Sequence, residues 1–355
     1  LVSGNGKDYV IPMVTEEPSV VAACSNAAKM ARPGGGFTTD YTGSVMISQI
    51  QLLDVPAPFY AKGKILENKE KIAEICNARD PMLVKLGGGV KDVEVRVLDS
   101  LVGPMVVVHL LVDTGDAMGA NAVNTMAEAV APFLEELTGG RAELRILSNL
   151  ADHRIARARA VFKKDAIGGE EVVDKMIAAY AFAAADPYRA ATNNKGIMNG
   201  IIPVVIATGN DTRAIESGAH AYAARSGQYS PFATWEKNAD GDLVGSIEMP
   251  MAVGLVGGAT KIHPAAKVAV KMLGVKTAGE LAQIIAAVGL AQNMAAMRAL
   301  ATEGIQRGHM SLHARNLAAT AGATGELLEK IVKQMVSEKN VRLEYAQELV
   351  KQYQK

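Results

Sequence analysis

Lys195 and Asp211 are the two residues of this sequence best placed to do chemistry together. Residues 186–211 set them in polar, glycine-rich stretches on either side of an apolar run, Ile201–Ala207. A run of that kind, bounded by turn residues, reads as a buried strand with both charges at its ends. Charged groups at the edge of a core are where pKa values move, and moved pKa values mark chemistry. An ordinary loop ion pair accounts for the same two residues equally well.

Three other segments carry candidate groups. Asp113-Thr-Gly-Asp-Ala-Met-Gly-Ala-Asn121 lies between a strand pattern and a helix pattern. Its glycines permit a tight turn, and the free N–H groups of a helix start can receive phosphate. The plainer reading makes Asp116 a helix cap; G-x-G-x-x-G occurs nowhere. Thr15-Glu-Glu-Pro-Ser19 puts Glu17 at a helix start, where a carboxylate serves the helix dipole or, if protonated, acts as an acid. Arg307–Asn316 places His309 and His313 on one helical face. Without a third ligand or the Glu of H-E-x-x-H this predicts no metal, and a proton donor on a hinged tail is the stronger use.

The elements that position these groups can be read in outline. Pro18 opens a helix that stops at Pro33-Gly-Gly-Gly36, and Tyr9–Val14 before it looks like a strand. Then come a strand at Ser44–Leu53, an amphipathic helix at Lys64–Arg79, strands at Asp92–Leu98 and Met105–Val112, a helix at Gly119–Leu137 and a strand at Ala142–Leu147. That β-α-β-β-α-β order is ferredoxin-like. The fold class expected is therefore α+β: a large mixed helix/strand domain (1–43 and 148–303), an inserted ferredoxin-like small domain (44–147) and a C-terminal helical flap (304–355). Thr277-Ala-Gly-Glu280 reads as a capping box for an Ala-rich helix.

Composition narrows the classes. Lys plus Arg and Asp plus Glu are 37 each, with no basic stripe for a nucleic acid. Two cysteines, Cys24 and Cys76, lacking metal-ligand spacing, favour a reducing, cytoplasmic setting. No uninterrupted apolar stretch reaches the roughly 20 residues of a membrane span. Residues 281–301, broken by Gln283, Gln292, Asn293 and Arg298, read as a buried helix. Beginning at Leu1 with no signal-peptide pattern, the sequence reads as lacking its true start.

Glu-Glu-Pro-Ser (16–19), Asp-Ala-Met-Gly-Ala-Asn (116–121), Asn-Lys-Gly-Ile-Met-Asn-Gly (194–200), Thr-Gly-Asn-Asp (208–211) and Gly-His-Met-Ser-Leu-His-Ala-Arg-Asn (308–316) follow one another in order. Together they make the chain resemble the class II 3-hydroxy-3-methylglutaryl-coenzyme A (HMG-CoA) reductases over essentially its whole length. The resemblance implies Glu17 as proton donor to the carbonyl being reduced, Lys195 as oxyanion stabiliser, Asp211 as the group joining them, and His309 as the acid that protonates the departing coenzyme A thiolate. A thiol near pKa 8.5 and an imidazole near about 6.5 make that last transfer reasonable at neutral pH.

It further implies Ser19, Arg189 and Asn199 as contacts of the hydroxymethylglutaryl group, and Asp80, Asp116, Met118, Gly119, Asn121 and Asn149 as dinucleotide contacts. The implied cofactor is NAD or NADP, with coenzyme A carried on the substrate. Asp80 at the adenosine ribose favours NAD, because a carboxylate accepts from a 2′-hydroxyl and repels a 2′-phosphate, although Arg79 beside it acts the other way. A homodimer, or an oligomer of dimers, is implied, with mevalonate and coenzyme A as the other partners and neither nucleic acid nor membrane. The same resemblance expects a preceding helical segment bearing Glu-Asn-x-x-Gly. A coenzyme A acyltransferase is the rival enzyme class, but it needs a nucleophilic cysteine, and Cys24 sits inside an apolar helix.

Overall fold

The computed structural model describes residues 2–3, 6–302 and 305–353. Among them the strands form two sheets. One holds six strands in the order Lys7–Asp8, Val2–Ser3, Phe37–Tyr41, Ile155–Phe162, Leu243–Pro250, Ala233–Lys237. Its register sets Arg157 between Asp40 and Glu248, and the guanidinium bonds both, at 3.0 and 2.6 Å. Opposite charges facing across neighbouring strands stabilise such a pairing modestly.

The second sheet runs Gly89–Leu98, Met105–Asp113, Val45–Leu53, Arg141–Ser148, with every neighbour antiparallel. In chain order this is β-α-β-β-α-β with the first and third strands central, the ferredoxin-like arrangement expected. The crossover helix Ala120–Thr138 buries Val123, Met126, Ala127, Val130, Ala131 and Leu134, steps of three and four that lay one apolar stripe on the sheet. The helix expected at Lys64–Arg79 is instead two, Pro58–Glu67 and Lys69–Asn77. They part at Asn68, whose amide donates to the carbonyl of Lys64 at 2.8 Å, so a polar side chain competes locally with the helix ladder.

Two long helices make the core beside the six-stranded sheet. Ala278–Ala301 buries nearly every side chain along its first 20 residues. By length and composition it passes for a membrane span (24 residues, hydropathy 1.4), contrary to the reading of its polar interruptions, but 67% of the apolar window is buried in this protein. Thr277 caps it, accepting from the N–H of Glu280 at 3.1 Å, as the capping box predicts. The other helix, Pro187–Ala207, absorbs the run expected as a strand. Asp186 caps it by accepting from the N–H of Arg189 at 3.1 Å, and Pro187 fills its first position. Because this helix is buried on most of its surface, its apolar residues run together, and periodicity no longer separates helix from strand. Its Gly200 lets it approach the neighbour closely: a Cβ there would lie 2.8 Å from the Cβ of Gln292.

Tyr9–Val14 is not a strand either. The N–H of Val14 donates to the carbonyl of Pro203 at 3.1 Å, so this segment lies along the helix rather than on a sheet. The tail forms three helices, Ile305–Thr320, Gly325–Ser337 and Leu343–Tyr353, around a separate core of Ala314, Ala318, Ile331, Met335 and Leu349.

Candidate active site

Most of the predicted residues fall into two clefts. The first, about 570 Å³, opens between the start of the Pro18–Ala31 helix, the middle of Pro187–Ala207 and the C-terminal half of Ala278–Ala301. It gathers Glu17, Ser19, Arg189, Lys195 and Asn199. Glu17 is the residue preceding Pro18 at the helix start, and its Oε1 accepts from the Ser19 hydroxyl at 2.6 Å. Arg189, Thr192, Gly196 and Asn199 step by three and four and so share one helical face, with Lys195 on its flank. A guanidinium fork, an ammonium, a hydroxyl-bound carboxylate and an amide around one cavity suit an acyl ligand that ends in a carboxylate.

Three residues of this cleft lay unread in the sequence. Thr192 extends the arginine face, and Gln292 and Asn293 come from the Ala-rich helix. Asn293 is fixed, accepting from the Trp235 indole at 2.7 Å and donating to Asn193 at 2.9 Å. Gln292 is buried, and its Oε1 has no hydrogen-bond partner among the described residues. The signal was two adjacent amides inside an apolar helix, read only as interruptions.

The second cleft, about 600 Å³, lies between the ferredoxin-like sheet's Asp113–Asn121 turn, residues 79–80, 209–211 and 254–258. It is lined by Asp80, Met118, Gly119, Asn121 and Asp211. Gly119 has φ +99°, and a Cβ there would meet Thr114 at 2.3 Å, so only glycine suits the turn. Asp80 caps the short helix Pro81–Lys85, accepting from the N–H of Leu83 at 2.9 Å. Asp116 does not cap the helix that follows its own turn; its Oδ1 accepts at 2.7 Å from the N–H of Ala278, the first residue of the long core helix. Asp116 and the exposed Asn149, both expected as dinucleotide contacts, fall outside the residues lining this cleft.

The structure therefore separates Asp211 from Lys195 within one chain. Asp211 caps Thr212–Ala223, taking the N–H groups of Arg213 and Ala214 at 2.9 and 3.3 Å and the Arg213 side chain at 3.2 Å. Burial pushes its carboxyl up, but the Arg213 guanidinium and the two backbone donors outweigh that and hold it below the usual range. His309 rides on the Ile305–Thr320 helix, and its side chain lies outside the described residues. Cys24 is buried, which pushes its thiol up to about 12, so it is no nucleophile.

Comparison with known proteins shows the family and the fold. The family model for hydroxymethylglutaryl-coenzyme A reductase matches residues 2–314. A 3-hydroxy-3-methylglutaryl-coenzyme A reductase of Archaeoglobus fulgidus is 64% identical over 98% of this chain and 79% of that protein. A probable one from Borreliella burgdorferi is 39% identical over 88% of this chain and 72% of its own length. Among solved structures, the class II enzyme of Streptococcus pneumoniae bound to NADPH superposes with a TM-score of 0.83 at 43% identity, covering 99% of this chain and 86% of that one. A class of coenzyme A thioester oxidoreductases is thus defined by the family match and the fold together. The chain belongs to the hydroxymethylglutaryl-coenzyme A reductase family.

Proposed function

We propose that the protein reduces HMG-CoA to mevalonate and free coenzyme A, or runs the same chemistry in reverse, in two successive hydride transfers from NAD(P)H. The observation that carries this reading is the convergence of Glu17, Ser19, Arg189, Lys195 and Asn199 on one cavity. Arg189 takes the free carboxylate of the acyl group, and Ser19 and Asn199 orient it. Lys195 stabilises the oxygen that becomes negative when the thioester carbonyl accepts hydride. Glu17 delivers the proton that makes this oxygen the hydroxyl of a hemithioacetal. As that hemithioacetal collapses, the C–S bond breaks and His309 protonates the thiolate. The aldehyde then passes through the same site again and ends as the alcohol of mevalonate.

Met118, Gly119 and Asn121 would hold the dinucleotide in the second cleft, and it would supply hydride when bound. Residues present there suit it: a glycine-bearing turn and a helix start offer N–H groups to a pyrophosphate. NAD is the favoured form, because Asp80 places a carboxylate in that cleft and repels a 2′-phosphate. Mevalonate and coenzyme A assayed with NAD and with NADP test reaction and cofactor together. A faster rate with NAD supports this reading, equal or faster NADP turnover removes the cofactor preference, and no turnover with either removes the function.

Self-association as a homodimer belongs to the same reading, because Asp211 and Lys195 line different clefts of one chain. A second copy can present its Asp211 cleft to the Lys195 cleft. Exposed Val14 and Ile206, brought close by the Val14–Pro203 bond, give an apolar surface for such a contact. Light scattering over a dilution series, with activity followed in parallel, checks it: activity that falls with the dimer supports a shared site, and a fully active monomer rules it out.

A further inference from the structure

Arg154 is completely buried, and among the described residues no carboxylate pairs with it. A guanidinium in that position is rare, since buried charges are normally met by an opposite charge. Its donors are met by neutral oxygens instead. Nε donates to the Tyr41 hydroxyl at 2.8 Å, and Nη1 to the Thr114 hydroxyl at 3.1 Å and to the carbonyls of Ala117 and Met118 at 3.2 and 3.1 Å. Nη2 reaches the carbonyls of Ala117 at 3.3 Å and Val253 at 2.5 Å.

These acceptors come from both bodies of the fold. Thr114, Ala117 and Met118 belong to the turn that leaves the ferredoxin-like sheet, whereas Tyr41 ends a strand of the six-stranded sheet and Val253 follows another. One side chain therefore pins the turn to the floor of the second cleft. Pinning has a consequence for the opposite face of the turn. A trans peptide whose carbonyl points one way must point its N–H the other way, and no peptide among the described residues is cis. With the Met118 carbonyl drawn inward to Arg154, the Gly119 N–H turns outward, next to the unpaired N–H groups at the start of Ala120–Thr138. Beneath them lies a positive charge that no acid neutralises.

We propose that Arg154 is the positioning residue of the dinucleotide cleft. It holds the 114–119 turn so that its outward N–H groups meet an anionic pyrophosphate, and that ligand supplies the negative charge the guanidinium lacks. Arg154 itself touches no ligand. This rests on the reading of the second cleft as the dinucleotide site.

The test is fluorescence titration of the full-length protein with NADH and NADPH, together with KM for both substrates and thermal melting. Wild type, R154K, R154M and Y41F are compared. Lysine keeps the charge but loses the planar fork, so R154K weakens dinucleotide binding about tenfold while KM for HMG-CoA stays within about threefold. R154M loses charge as well and binds more weakly again. Should R154M fail to fold, R154K and Y41F still decide, since Y41F removes one acceptor of the guanidinium without altering a residue that lines either cleft, and it weakens dinucleotide binding by a smaller factor. Dinucleotide binding as tight as wild type in R154K overturns the proposal, as does an equal loss for dinucleotide and HMG-CoA, which marks a merely structural residue. A wild-type protein that binds neither dinucleotide removes the reading of the cleft instead.

Discussion

Asp211 is turned onto Arg213: the Arg213 Nε donates to Oδ1 at 3.2 Å and Nη2 to Oδ2 at 3.4 Å. The carboxylate that the resemblance joins to Lys195 thus has a cation of its own in the single chain. Burial and pairing act on it in opposite directions, and pairing wins, so its folded-state pKa is lowered. A lowered carboxyl contributes stability that is present above its unfolded pKa and is lost as pH falls through the folded value. Arg213→Ala removes a lowering cause, so Asp211 titrates at higher pH and the acid limb of kcat/KM moves up with it. The pH–rate profile of the variant measures this. An acid limb that stays put, or moves down, disconnects Asp211 from the chemistry.

Ser19 and Glu17 are bonded at 2.6 Å, a hydroxyl donating to a carboxylate. Ser19 is also proposed to contact the acyl group, and losing that contact in Ser19→Ala, worth about 1 kcal/mol, lowers kcat/KM about fivefold, mainly through KM for HMG-CoA. Glu17→Gln removes the proton donor itself and costs about 10²–10⁴, mainly in kcat. Steady-state kinetics separate the two. A Ser19→Ala variant that loses kcat and leaves KM alone contradicts the assignment of Ser19 to substrate binding.

Much of the fold was legible because its signals are local. The ferredoxin-like order followed from the succession of strand and helix patterns along residues 44–147, and Thr277 announced its helix by capping chemistry. What was illegible depended on surroundings. Ile201–Ala207 reads as strand until the neighbouring helix encloses it, and Asn68 splits a helix that periodicity runs straight through. At the site, Glu17 and Ser19 share one motif at a helix start, and one helix carries Arg189 and Lys195 to the same cavity. That Asp211, only sixteen residues beyond Lys195, lines another cleft is a matter of chain path, which no motif encodes. Arg154 was invisible for the same reason: its partners lie at positions 41, 114, 117, 118 and 253.

Gln292 keeps a buried carbonyl oxygen with no partner at the wall of the first cleft. Leaving such a group unpaired costs about 1–3 kcal/mol, and a protein keeps it where a ligand supplies the missing donor. The 3-hydroxyl of the hydroxymethylglutaryl group is a donor of that kind. Gln292→Leu therefore raises the melting temperature of the unliganded protein, by about 1 kcal/mol of stability, and raises KM for HMG-CoA about tenfold. Thermal melting and steady-state kinetics on one preparation test both halves. A variant that melts lower and keeps its KM contradicts the assignment.

The role proposed for His309 differs between the two reductions, and that difference makes it testable. In the first, the group leaving carbon is a thiolate, which re-adds to the aldehyde unless it is protonated. In the second, free mevaldehyde accepts hydride and nothing leaves. His309→Ala should therefore slow thioester reduction about 10²–10⁴-fold, the usual contribution of a positioned acid, and leave mevaldehyde reduction within a few-fold of wild type. Added imidazole, small enough to enter an opened site, should restore part of the thioester rate only. If the variant loses both reactions equally, the histidine serves the fold or the closure of the tail helices, and the thiolate must take its proton from another group.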